Sequence, residues 1–112
     1  MSSPSKIKGS TYERAVVAYL AANGFPATER MYGAGRPADI GDIRIDPRVV
    51  IEAKACKTMD LAGWCDEAGK ERDNAGAVLG LVVAKRRMKP VEESYVITTL
   101  REASWLLKAV LR

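Results

Sequence analysis

The sequence predicts one α/β domain, a central mixed β-sheet flanked by helices in the order α-β-β-β-α-β-β-α. Three observations point to it. Two apolar runs, Val49-Val50-Ile51 and Ala77–Ala84, have the unbroken hydrophobic character of strands buried on both faces. Between them lies an amphipathic stretch from about Leu61 to Asn74, and a helix joining two such strands makes a parallel crossover. Upstream, Asp42-Ile43-Arg44-Ile45 alternates polar and apolar residues and reaches Val49 through the turn chemistry of Asp46-Pro47-Arg48, as an antiparallel hairpin does.

Taken in order, residues 1–9 read as a flexible basic arm, with Lys6 and Lys8 near its end. Ser10-Thr11-Tyr12-Glu13 fits a capping box, and Tyr12, Val16, Tyr19 and Leu20 recur at helical spacing until Asn23-Gly24. Phe25 to Met31 forms a short strand, and Gly33-Ala34-Gly35-Arg36-Pro37 a loop with Arg36 at its tip. In the hairpin, a loop of Asp46, Pro47 and Arg48 pairs Ile45 with Val49 and Ile43 with Ile51, and sets Asp42 opposite Glu52.

Thr58 or Asp60 caps the second helix, which turns Leu61, Trp64, Cys65 and Ala68 to the sheet and leaves Glu67, Lys70, Glu71 and Arg72 to solvent. The central strand at Ala77–Ala84 runs into Lys85-Arg86-Arg87-Met88-Lys89, four cations in five residues with no acid among them. Ser94–Thr98 is the last strand. A helix from Leu100 to Leu111 follows a second capping box, Thr99 to Glu102, with Ala103, Leu106, Leu107 and Val110 toward the core.

At 112 residues, 47% hydrophobic and 29% charged, the chain has the size and balance of one globular domain. No apolar run approaches the roughly 20 residues that span a bilayer, so a cytoplasmic protein with no membrane partner is expected. The net charge of +4 suits an anionic partner. The absence of histidine excludes Ser-His-Asp and Cys-His catalysis and histidine zinc sites. Metal chemistry here must run on oxygen ligands, which favour magnesium or manganese. Cys56 and Cys65 read as small apolar fillers in a reducing compartment.

The chemistry gathers between Asp42 and Lys57. Glu52 and Lys54 are two residues apart on a strand and so share a face, and the hairpin brings Asp42 to the same end. Two carboxylates beside an amine can hold a divalent cation next to a phosphodiester. Glu13 has two readings, as the reciprocal cap of the first helix or as a further acid of this cluster.

The spacing of Asp42 to Glu52-Ala53-Lys54 resembles the core of the PD-(D/E)xK nuclease superfamily, with its restriction-endonuclease-like fold. Within it the chain is most similar to the small Holliday-junction resolvases of archaea and their viral and phage relatives. Lys8-Gly9-Ser10-Thr11-Tyr12-Glu13-Arg14 looks like that family's K-G-x-x-x-E-R, Asn23-Gly24-Phe25 like its helix-ending G-F, and Val50 to Lys54 like its I-E-x-K. An ungapped reading of the family spacing favours Asp39 as the acid, whereas the hairpin register favours Asp42. The serine often found in the family's mobile loop is missing between Gly33 and Ala38.

The resemblance implies that residues 10–112 form a single nuclease domain. It implies Mg²⁺, with Mn²⁺ as a substitute, held by Asp42, Glu52 and Glu13, and Lys54 steadying charge at the attacked phosphate. Arg14 and Arg30 would contact the DNA backbone. Lys8, Arg36, Lys57, Lys85, Arg86, Arg87 and Lys89 would extend a salt-sensitive phosphate track. Expected partners are branched or duplex DNA and a second copy of the chain, because a four-way junction is cut symmetrically, with Trp64, Trp105 and the closing helix as candidate dimer contacts. The setting would be DNA recombination or repair, in the host cytoplasm if the chain is phage-encoded. The alternatives are a general, flap- or nick-cutting nuclease with the same site and a DNA-binding module of this fold that does not cut.

Overall fold

The computed structural model describes residues 4–31 and 40–112, with residues 4–7 described by backbone alone. Its elements are α1 (Pro4–Ala22), β1 (Glu29–Arg30), β2 (Ile43–Asp46), β3 (Val49–Lys54), α2 (Leu61–Ala75), β4 (Leu79–Ala84), a 3₁₀ turn (Val91–Glu93), β5 (Tyr95–Ile97) and α3 (Leu100–Val110). The five strands lie in sequence order across one sheet. Among the described residues only β3 and β4 pair in parallel, through the α2 crossover. The neighbouring pairs are antiparallel, giving the mixed sheet and element order expected of a restriction-endonuclease-like core.

Each face of the sheet is covered by one helix. On one side Tyr12 and Val16 of α1 pack on Ile43, Ile51 and Val83; on the other Trp64 and Ala68 of α2 pack on Val82 and Ala84. Val82 and Val83 belong to opposite clusters because a strand alternates its faces. Helix α2 can sit this close because residue 80 is glycine. A Cβ there would lie 2.4 Å from the carbonyl oxygen of Ala68. Tyr12 also ties the start of the fold to its far end, its hydroxyl donating to Ser94 Oγ at 2.7 Å.

Several boundaries differ from the sequence reading. Helix α1 begins at Pro4, not Ser10, with proline at a first-turn position where its missing N–H costs nothing. Ser10 therefore lies inside the helix and caps nothing; residues 1–3 of the expected arm are outside the described residues. Strand β1 shrinks to two residues, because Thr28 donates both its backbone N–H and its hydroxyl to the Phe25 carbonyl and closes a turn there. In the hairpin, Ile43 pairs with Ile51 as expected, but Asp46 rather than Ile45 faces Val49. A bulge at Ile45 takes up the extra residue, and the Asp46 carboxylate accepts from the Arg48 N–H at 2.7 Å across a two-residue turn.

Asp60 caps α2, accepting from Gly63 N at 3.1 Å, and Gly76 closes it in the left-handed conformation. Leu61 is exposed, and Glu71, expected in solvent, is buried. Thr99 caps α3 as expected. Its core-facing residue is Glu102, whose carboxylate accepts from Gly80 N at 2.9 Å, from Arg72 Nη1 at 3.2 Å and from the Thr98 hydroxyl. The apolar side chains expected in the core, Leu106, Leu107 and Val110, are exposed, as is Trp105. Trp64, expected as a dimer contact, is instead buried under α2. No helix among the described residues is long and apolar enough to cross a membrane.

Candidate active site

Strand parity decides which side chains meet. Ile51 and Ala53 pack toward α1, so Val50, Glu52 and Lys54 project toward α2. Asp42, just before β2, joins the latter set. Its N–H donates to the Ile51 carbonyl at 3.0 Å, and its Oδ2 accepts from the Ala53 N–H at 2.9 Å. Gly41 makes this approach possible. Its φ is +94°, and a Cβ would lie 3.2 Å from the Ile51 carbonyl and 3.5 Å from Glu71 Oε2.

Burial pushes the Asp42 carboxyl up to about 8, and the neighbouring charge of Glu52 adds to this against the pull of the Ala53 N–H, with Glu13 contributing further upward. Glu52 is only 7% exposed, its Oε2 is buried without an N–H or hydroxyl donor, and a hydrogen bond between the Asp42 and Glu52 carboxyls helps Asp42 keep its proton. Two adjoining carboxyls that must share a proton when no cation is bound are a good match for a hard cation. The donor set therefore fits magnesium or manganese.

Lys54 supplies the compensating charge. Its Nζ is 3.4 Å from Glu52 Oε1 and 2.8 Å from Glu67 Oε1. Burial works against the ammonium, but pairing with Glu67 and Glu52 outweighs it and holds the amine above its ordinary range.

Two members of the cluster escaped the sequence reading. Carboxylate oxygens of Glu52, Glu67 and Glu71 lie within 4.8 Å of one another, and Glu71 is 1% exposed. The signal was present in the spacing: Trp64, Glu67, Ala68 and Glu71 form one helical stripe at steps of three and four, so acids sit on the face that α2 turns to the sheet. One helix face thus offers two further oxygen ligands beside Glu52.

Glu13 reaches the same edge of the sheet but is engaged. Its Oε2 accepts from Arg30 Nε at 3.1 Å and Nη2 at 2.8 Å, and the same Nη2 donates to Ser10 Oγ. Arg30, expected on the DNA backbone, is accordingly turned to Glu13. Arg36 and Asp39 lie outside the described residues. Among the other expected phosphate contacts, Arg14 is exposed on α1, and Lys8, Lys57, Lys85 and Arg87 line one groove of about 580 Å³. Arg86 lies over the Tyr95 ring, 5.2 Å from its centroid, and Lys89 lines an adjoining groove. No known family, curated protein or solved structure matches the chain significantly.

Proposed function

We propose that the chain is a metal-dependent, structure-selective DNA endonuclease that cuts four-way junctions by phosphodiester hydrolysis. The observation that carries this reading is the Asp42–Glu52 pair: two neighbouring, largely buried carboxyls, one raised by burial and by the other's charge, beside the Lys54 amine. Asp42 and Glu52 would hold the ion, and Glu67 and Glu71 stand close enough to Glu52 to add ligands. When bound, Mg²⁺ would supply Lewis-acid charge at the scissile phosphate and lower the pKa of an attacking water.

The chain's own residues do the rest. Ala53 N–H fixes the Asp42 carboxylate. Lys54, kept protonated by its acidic partners, provides positive charge where the phosphate gathers negative charge. Lys8, Lys57, Lys85 and Arg87 line a groove to which none of the described acids contributes, suited to a polyanion. Cutting both strands of a junction calls for a two-fold dimer, and the exposed apolar side of α3 is the surface available for it.

The test is a labelled four-way junction and a matched linear duplex, incubated with magnesium or EDTA beside Glu52→Ala. Metal-dependent paired nicks on the junction alone are expected. Equal cutting of both substrates would make the protein a general nuclease, and binding without cutting by the native chain would make it a non-cleaving module.

A further inference from the structure

The groove at the ends of β3 and β4 has a second property that phosphate binding does not require. It follows Lys54 in the chain but opens toward α1, away from the Lys54 side chain: Ala55 and Cys56 line it with Lys8 of α1, and Lys85 N donates to the Lys54 carbonyl at 2.9 Å. Lys8, Lys57, Lys85 and Arg87 stand around it, yet Met59, Met88 and Tyr95 contribute apolar surface. The adjoining groove of about 250 Å³ shares Lys8 and Lys85 and adds Lys89, and among the described residues no acid lines either one.

Met88 is the unusual member. It is 91% exposed, the most exposed of the large hydrophobic side chains among the described residues. Its φ of 63° lies in the left-handed region, where a side chain crowds its own backbone. The turn explains the conformation but not the residue. Lys89 N donates to the Arg86 carbonyl at 3.2 Å, so Met88 occupies the third turn position, which glycine or asparagine fills without strain. The fold thus holds a flexible apolar side chain out into solvent, at a conformational cost, between Arg87 and Lys89.

We infer that this groove receives unpaired nucleotides at a break in DNA stacking, with Met88 as a wedge against the opened step and Tyr95 as a stacking surface. Continuous duplex presents phosphates and base edges to a groove and must be unstacked to admit a wedge, whereas a branch point, nick or single strand already presents base faces to apolar side chains. The Tyr95 ring, about half exposed and steadied by Arg86, offers such a surface beside the cations. The inference rests on the proposal that the substrate is DNA and adds what part of the DNA is recognised: unpaired bases, at the ends of β3 and β4.

The experiment uses the full chain with calcium in place of magnesium, so that binding is read without cutting. The probes are a four-way junction with 2-aminopurine at the branch point and a linear duplex with it at an internal step. A several-fold fluorescence rise on the junction and little on the duplex is expected. Met88→Ala should abolish the rise at saturating protein while leaving the salt dependence of binding unchanged. Lys85→Ala should reduce the slope of log affinity against log salt by about 0.9 on either DNA.

Met88→Gly, which relieves the backbone, should lose the rise while keeping or gaining thermal stability, separating a wedge from a folding role. A fluorescence rise retained by Met88→Ala, or one equal on duplex, overturns the inference even if the junction is cut in magnesium. A Met88-dependent rise without cleavage upholds it and overturns the nuclease reading. Failure to bind either DNA overturns both.

Discussion

Lys54 Nζ sits closer to Oε1 of Glu67, at 2.8 Å, than to Oε1 of Glu52, at 3.4 Å. The amine of the strand motif is therefore aimed by a residue on the crossover helix, thirteen positions downstream in the sequence. In the proposed reaction Glu67 would act as a positioning residue. Glu67→Gln should lower single-turnover junction cleavage by about 10–100-fold. It should also move the alkaline limb of the pH–rate profile to lower pH, because the ammonium loses a partner that raises its pKa. Lys54→Met should cost about 10²–10³-fold and leave DNA affinity nearly unchanged.

Asp42 gives the metal-free protein a pH dependence of stability. A carboxyl raised from 3.8 to about 8 keeps a proton in the folded chain that the unfolded chain has already released. Stability should then fall as pH rises from about 4 to about 8 and level off above that range. Thermal melts in EDTA should show a drop of at least about 5 °C across this window. Asp42→Asn, still able to accept from Ala53, should flatten it. Magnesium should stabilise the native chain more at pH 9 than at pH 6, since the ion and the proton compete for one carboxylate.

Gly80 and Glu102 hold the scaffold under the site. Gly80→Ala forces a methyl against the Ala68 carbonyl and should destabilise by about 1–3 kcal/mol in urea titrations. Glu102→Ala strips the buried Gly80 N–H and the Arg72 guanidinium of their acceptor and should also cost about 1–3 kcal/mol. Circular dichroism at increasing urea reads both.

The apolar side of α3 is the expected dimer surface. Leu107 is 53% exposed, so Leu107→Asp should leave folding intact while shifting sedimentation from dimer to monomer. Paired cutting of a junction should then become unpaired nicking. A native chain that sediments as a monomer at all concentrations would remove this face from the mechanism.

Much of this architecture was legible because short-range rules agree with the tertiary structure where it matters most. The runs at Val49 and Leu79 could hardly be anything but buried neighbours, and alternation brought Glu52 and Lys54 to one face. The hairpin register at Ile43–Ile51 was readable from polarity, but the bulge at Ile45 was not, since a two-residue turn and a three-residue turn suit Asp-Pro-Arg equally. Glu71 was misread because a charge on an amphipathic helix is ordinarily solvated, and only the assembled sheet places carboxylates opposite its stripe. The leucines of α3 have core-like spacing that the sheet does not use; spacing reveals an apolar face but not what covers it. Ser10 and Glu13 matched a capping box by type, while the helix, started by Pro4, ran through it.

The tie between Tyr12 and Ser94 spans eighty-two positions of the polymer. During synthesis the first helix emerges long before Ser94, so this anchor closes only after β1 to β4 have been made.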